Sequence, residues 1–139
     1  MNTFASKDQI IFRVNSSITP TELSNVFKES GVKRPSEDLL RLKRMIENAD
    51  ILISAWDGEK LIGIARAITD FSYCCYLSDL AVNKEYQKQG IGKELVTLVK
   101  ENISDEVTLL LLSSPTAMNY YPRIGFERID NGFRILRKI

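Results

Sequence analysis

The stretch of this sequence richest in chemical possibility is YLSDLAVNKEYQKQGIGKELV, residues 76–96, where an apolar run passes through a glycine-bearing loop into helical periodicity. Such a loop is suited to holding an anion. Glycines at 90 and 92 let consecutive backbone N–H groups converge on one concavity at the positive end of the following helix dipole, where a pyrophosphate can lie without any side-chain charge. Lys88 and Lys93 either add attraction for phosphate oxygens or simply face solvent. Spacing excludes two other phosphate loops. In a Walker loop the Gly-Lys pair is followed by Ser or Thr, whereas Lys93 precedes Glu94 and Gly92 has no glycine partner at the required distance. A dinucleotide fingerprint needs Gly or Ala at position 95, which is leucine, and a strand ending directly at the first glycine. Taken alone, the Gly-x-Gly pair also fits a helix start that needs glycine only for packing.

Composition narrows the remaining chemistry. The 139 residues include no histidine, which excludes Ser-His-Asp hydrolysis, Cys-His proteolysis, imidazole metal ligands and histidine proton relays. Any acid or base must be a carboxylate, Tyr, Lys or Cys. Cys74 and Cys75 are adjacent, so they form no CxxC motif and would be badly strained as a disulfide; reduced thiols in a cytoplasmic protein are expected. With 19 basic against 18 acidic side chains there is no electrostatic footprint for nucleic acid. The opening MNTFASKDQ has no apolar stretch, and the longest apolar run, Leu109 to Leu112, is far too short to cross a bilayer. Neither secretion nor a membrane partner is expected, and no metal is.

The elements that must position this loop follow from periodicity. QIIFRV, residues 9–14, reads as an opening strand. Thr19-Pro20-Thr21-Glu22 joins a capping box to proline at the first helical position, and Leu23, Val26 and Phe27 follow on one face of a helix that ends near Gly31. Ser36 is expected to cap a second helix through Glu37 and Asp38, with Leu39, Leu42 (or Leu40), Met45 and Ile46 as its apolar stripe. Arg41, Lys43 and Arg44 fall on its solvated face. Two strands flank a tight turn at Asp57-Gly58, and a third runs from about Tyr73 to Val82. Gly90 to Asn102 carries Ile91, Leu95, Leu98 and Val99 at helical spacing. Val107 to Ser114 is apolar enough for a strand buried on both faces. A short helix from Pro115 to about Tyr121 and a last hairpin, Gly125 to Ile129 and Phe133 to Leu136 around Asp130-Asn131-Gly132, complete the chain. This is one α/β domain with a mixed, mostly antiparallel central sheet and helices on both faces, in which Tyr76 to Ser114 forms a right-handed parallel crossover.

Gln87-x-x-Gly90-x-Gly92 resembles the acetyl-CoA-binding signature of the GNAT superfamily, the Gcn5-related N-acetyltransferases. YLSDLAV is similar to that family's fourth strand, and Ala117-x-x-Tyr120-Tyr121-x-x-x-Gly125-Phe126 to its later A-x-x-F/Y-Y-x-x-x-G-F signature. The resemblance implies the acyl-CoA N-acyltransferase fold, with acetyl-CoA as co-substrate. It implies a bulged fourth strand that splays from the fifth, leaving backbone groups of Leu80, Ala81 and Val82 for the pantetheine arm. The pyrophosphate would fall on the N–H groups of Lys88, Gln89, Gly90, Ile91, Gly92 and Lys93, behind Gln87. Ser114 stands where many relatives have asparagine, and Tyr121 matches the tyrosine that protonates the coenzyme A sulfur. A homodimer would be in keeping with the resemblance.

Acetyl transfer from a thioester to an amine needs a neutral nucleophile, a stabilised oxyanion and a proton for the leaving thiolate. A backbone N–H freed at a bulge, of Leu80 or Ala81, serves the oxyanion, and Tyr121 serves the thiolate because a phenol stays protonated at neutral pH. Asp79 is either the base, through a water, or a structural carboxylate accepting loop N–H groups. Ser78 is a poor base at the position where some relatives have glutamate. Trp56, Arg66, Asp70, Phe71, Tyr73 and Tyr76 are expected on or near strands bordering an acceptor cleft, although core packing would explain the aromatics equally well. The reading is an N-acetyltransferase acting on a small-molecule amine. The alternatives are a protein N-terminal or lysine acetyltransferase, and a non-catalytic acyl-CoA sensor.

Overall fold

The computed structural model describes residues 9–139; the reading of MNTFASKDQ falls, except for Gln9, outside them. Five strands follow one another in sheet order, β1 (Ile10–Val14), β2 (Ile51–Asp57), β3 (Lys60–Thr69), β4 (Cys74–Val82) and β5 (Thr108–Leu110). Every pairing is antiparallel except β4 with β5. That one parallel contact follows from the helix α3 (Ile91–Glu101), which carries the chain across the sheet as the sequence predicts.

Helices α1 (Pro20–Ser30) and α2 (Leu39–Glu47) cover one face, and α3 covers the other. Leu23, Val26 and Phe27 of α1 are fully buried with Leu42 of α2 against Leu52, Trp56, Ile64 and Ala81. On the opposite face Ile91, Leu95 and Val99 of α3 meet Ile51, Ile53, Ala65 and Leu77. Fully burying a side chain of this size stabilises by about 1.5–3 kcal/mol, so both faces hold the sheet flat between helices.

Local signals account for most boundaries. At α1 the Thr19 hydroxyl accepts from the Glu22 N–H at 3.0 Å while the Glu22 carboxylate accepts from the Thr19 N–H at 2.9 Å, and Gly31 ends the helix at φ +83°. The β2–β3 turn is displaced by one residue from the Asp57-Gly58 expectation. Asp57 pairs with Lys60, so Gly58 and Glu59 form the loop, with Gly58 supplying the positive φ that its first position requires.

Four expectations are corrected. Asp38, not Ser36, caps α2, accepting from the Arg41 N–H at 3.0 Å, and so the helix begins at Leu39 with Leu39 and Leu40 exposed. The helix expected from Pro115 to Tyr121 is broken into a 3-10 turn, Pro115–Ala117, and a short α4 (Tyr120–Arg123). β5 spans only three residues and is not buried on both faces: Leu109 and Leu111 pack partly against the core, while Leu110 and Leu112 face solvent. The final hairpin does not form, because residues 127–139 take no strand conformation and run exposed. Among the described residues no helix is long and apolar enough to cross a membrane.

Replacing Thr19 by alanine removes one half of the reciprocal cap and is expected to cost about 1 kcal/mol, or roughly 2–4 °C in Tm. Urea unfolding of the two proteins checks this; an unchanged midpoint would mean that packing alone holds α1.

Candidate active site

One extra residue in β4 shapes the centre of the molecule. Arg66 of β3 lies opposite Asp79 and Ala67 opposite Leu77, so Ser78 has no partner and forms a bulge. Side chains alternate along a strand, and the inserted residue switches the alternation. Cys75 and Leu77 before the bulge, and Leu80 and Val82 after it, all pack toward α3. Asp79 and Ala81 are thereby turned to the α1–α2 face.

Beyond the bulge β4 loses its other neighbour. Pairing with β5 covers only Cys74, Cys75 and Tyr76, which leaves one edge of β4 from Leu77 to Val82 without a strand. Asn83 donates to the Ile62 carbonyl at 2.8 Å, which fixes which residues pair with β3. Counting back by twos, the N–H and C=O of Ala81 point into β3, and those of Leu80 and Val82 point out to the open edge. Of the backbone expected to meet a ligand, Leu80 and Val82 face the gap; Ala81 is corrected to an internal ladder position. The Val82 carbonyl already accepts from the Gln87 side-chain amide at 2.8 Å.

That Gln87 bond is one of several that hold the loop between β4 and α3. The Asn83 side chain accepts from the Glu85 N–H and donates to Glu29 of α1 at 2.5 Å, while the Tyr86 hydroxyl donates to Asp57 at 2.5 Å. The Asp57 carboxylate, aided by burial, pushes the Tyr86 pKa up to about 12, so this anchor stays protonated across the neutral range. So fastened, the loop takes left-handed backbone at Lys88 (φ +66°) and Gly90 (φ +83°). For Lys88 that conformation costs about 1 kcal/mol, which the anchors offset. Among the described residues no side chain caps α3, and the N–H groups of Ile91, Gly92 and Lys93 in its first turn have no partner within the helix. The Gln89 side-chain oxygen, nearby, is buried without a donor among the described residues. Gly92 also sits directly under a neighbour: a Cβ there would lie 2.5 Å from the Tyr120 hydroxyl oxygen. Three unpaired amides converging at a helix start fit an anionic group such as a pyrophosphate.

The Asp79 carboxylate is fully buried and already taken. One oxygen accepts from Arg34 Nε at 2.6 Å and the other from Arg66 Nε at 2.5 Å. The same two guanidiniums also donate to Ser78, Arg34 to its carbonyl at 2.9 Å and Arg66 to its hydroxyl at 3.0 Å. With both oxygens so held, Asp79 fits the structural alternative, with arginine side chains as its donors in place of loop N–H groups. Arg34, on the loop between α1 and α2, is the residue the sequence reading missed, since nothing local marks it as a partner for a residue 45 positions away.

Tyr121 stands on α4, edge-on to both Tyr120 and Phe126 at centroid distances of 5.3 and 5.5 Å. Burial pushes its pKa upward, the neighbouring Tyr120 adds to the rise, and the nearby Arg34 charge opposes it. Ser114 begins the 3-10 turn before α4, exposed, with its hydroxyl 3.4 Å from that of Thr116.

Several other expected site residues are structural. Trp56 is buried, donates to Ser54 at 2.9 Å and lies under the Arg13 guanidinium, and is therefore core. Asp70 accepts from the N–H groups of Ser72, Tyr73 and Cys74, which hold its pKa down and close the β3–β4 turn. Phe71, Tyr73 and Tyr76 are exposed. Cys74 is exposed and Cys75 buried, on opposite faces as expected.

The profile of the acetyltransferase (GNAT) domain matches residues 9–134. The uncharacterized N-acetyltransferase ycf52 of Pyropia yezoensis is 28% identical over 127 residues, spanning 86% of this chain and 71% of its own. A GNAT-family acetyltransferase of Streptococcus pneumoniae TIGR4 superposes with a TM-score of 0.74 at 20% identity, covering 94% of this chain and 99% of its own. The aminoglycoside N-acetyltransferase AAC(6')-Iy, solved in complex with CoA, superposes with a TM-score of 0.70 at 14% identity, with 100% of each chain covered. Those two structures speak for the fold. With a bulged β4, an open edge and an uncapped α3 behind it, the profile spanning nearly the whole described chain settles the family: the chain belongs to the GNAT N-acetyltransferases.

Proposed function

We propose that this protein transfers the acetyl group of acetyl-CoA to the primary amine of a small molecule by direct attack. The observation that carries the reading is the continuous path from the open edge of β4 to the unpaired amides of α3. A pantetheine arm is an extended chain with amide groups of its own. It would pair with Leu80 and Val82 as a strand does, and its pyrophosphate would rest on the first turn of α3 with the loop from Lys88 to Lys93 around it.

In this reading the thioester carbonyl lies by the bulge, where the Leu80 N–H donates to the oxyanion as the amine adds. Collapse of the tetrahedral intermediate breaks the C–S bond, and Tyr121 donates its proton to the departing sulfur. Its raised pKa keeps that proton in place through the neutral range. Asp79 does not take the amine proton, because both its oxygens are held by guanidiniums. Bulk water does so, and the amine must therefore be neutral by the time it attacks. The aminoglycoside acetyltransferase neighbour supports a small-molecule acceptor, and the exposed Phe71, Tyr73 and Tyr76 offer aromatic faces to a cationic amine before it loses its proton.

Three outcomes follow from these assignments. Tyr121→Phe is expected to lower kcat on the order of 10²-fold with little change in acetyl-CoA affinity. Equal single-turnover rates would remove the phenol as acid. Gly92→Ala is expected to weaken acetyl-CoA binding about tenfold by calorimetry. Adding Tyr120→Phe, which clears the clash, should restore thermal stability and part of the affinity; acetyl-CoA affinity unchanged by Gly92→Ala itself in a folded protein would sink the assignment of the α3 amides. Asp79→Asn breaks a buried pair and should cost about 3 kcal/mol of stability. The acid limb of its pH–rate profile should coincide with wild type and move only when an amine of different pKa is used. A limb that shifts with the substitution would return Asp79 to the role of base.

A further inference from the structure

Arg34 grips the bulge from outside the sheet, on both sides of the Asp79 Cα. Its Nε donates to the Asp79 carboxylate at 2.6 Å and a terminal nitrogen to the Ser78 carbonyl at 2.9 Å, so one guanidinium holds the side chain of Asp79 and the peptide that precedes it. The direction of that carbonyl follows from the ladder. Asp79 stands opposite Arg66, two residues before Ala81 and four before Asn83, whose N–H meets the Ile62 carbonyl; the Asp79 N–H therefore points into β3. A trans peptide sets its C=O opposite its N–H, so the Ser78 carbonyl points to the edge that β5 leaves open. Along that edge the next group is the Leu80 N–H. Arg34 is itself held in place: it donates to the Lys33 carbonyl at 2.8 Å and lies 6.0 Å from the ring of the fully buried Phe27.

We propose that Arg34 is a positioning residue for acetyl transfer, fixing the Ser78–Asp79 peptide and so aiming the Leu80 N–H at the oxyanion. This role rests on the acetyl-transfer reading of the site. The ladder holds the Ser78–Asp79 peptide at its N–H end, and Arg34 holds it at its carbonyl end. Held at both ends, the peptide does not rock, and the next peptide, which carries the Leu80 N–H, takes its direction from it. That direction matters because an oxyanion donor works only when aimed at the place where charge develops, and a displacement of about 1 Å can cost on the order of 10² in rate. Arg66 does not duplicate the function. It takes the other Asp79 oxygen at 2.5 Å and the Ser78 hydroxyl at 3.0 Å, and so holds side chains while the carbonyl is left to Arg34. Lysine would not duplicate it either, since two different nitrogens of a planar fork span the carboxylate and the carbonyl. The Arg34 charge is also felt at Tyr121, the acid of the same step, where it opposes the effect of burial.

The test compares Arg34→Lys and Arg34→Gln with wild type in the full chain. Four quantities are measured: thermal stability, acetyl-CoA affinity by calorimetry, the single-turnover rate of thioester cleavage with the best acceptor of a panel of small primary amines, and the Leu80 backbone amide resonance. Arg34→Lys keeps a cation beside Asp79, so it should retain most of the stability and all of the affinity. Its rate should nonetheless fall on the order of 10²-fold, and its Leu80 amide resonance should move. Arg34→Gln should lose rate to the same extent and stability as well; Arg34→Lys decides the matter if the glutamine variant fails to fold. A rate that recovers together with stability in Arg34→Lys would reduce Arg34 to a structural counter-ion and overturn the proposal, as would a Leu80 amide that stays in place. Failure of the acetyl-transfer reading shows in the wild type, as absence of amine-dependent cleavage before any substitution is made, and is thereby told apart from failure of the positioning role.

Discussion

One inserted residue, Ser78, governs the arrangement of everything near the proposed reaction centre. Were β4 regular through Ser78, Leu77, Asp79 and Ala81 would share a face and Asp79 would be driven into the apolar layer under α3. A lone carboxylate there would be costly to bury. The bulge instead sends Asp79 to the opposite face, where Arg66 stands directly across the ladder and Arg34 reaches down from the loop between α1 and α2. Pairing of β4 with β5 ends at Tyr76, two residues before the bulge.

The buried ion cluster does more than neutralise a charge. Two guanidiniums around one carboxylate leave a net positive charge beside the bulge, and each also donates to Ser78, Arg34 to its carbonyl and Arg66 to its hydroxyl. The bulge is therefore held from both sides, by the ladder and by the α1–α2 loop. Buried ion pairs are weak evidence for stability but a good device for fixing one geometry among several. Here the geometry fixed is the direction of the Leu80 N–H. The Arg34 charge also tempers the rise that burial gives to the Tyr121 phenol.

The framework was legible where the physics is local. Alternation, the Thr19–Glu22 box, Gly31 and the helical spacing of Ile91, Leu95 and Val99 each act within a few residues, and each appears as expected. The loop at Gly90 and Gly92 was legible for the same reason. The bulge was implied by resemblance but not by any residue, because Ser78 differs from its neighbours in no way that marks an insertion. Arg34 was invisible, since its partner is 45 residues away and its own surroundings read as a surface loop. Asp79 was left between two roles because sequence does not say what occupies its oxygens. Trp56 was left between core and cleft because an aromatic at a strand end reads alike in either place.

The misreading of the last third of the chain has a different cause. Val107 to Ser114 carries four consecutive leucines, and such a run predicts a strand covered on both sides. The structure covers one side only and leaves the outer edge and Leu110 and Leu112 to solvent. Composition reports how much apolar surface a strand wants to bury, not which chain buries it. The apolar residues at 133, 135 and 136 pose the same problem from the other direction, as strand-forming side chains with no sheet beside them. Each excess is unfavourable alone.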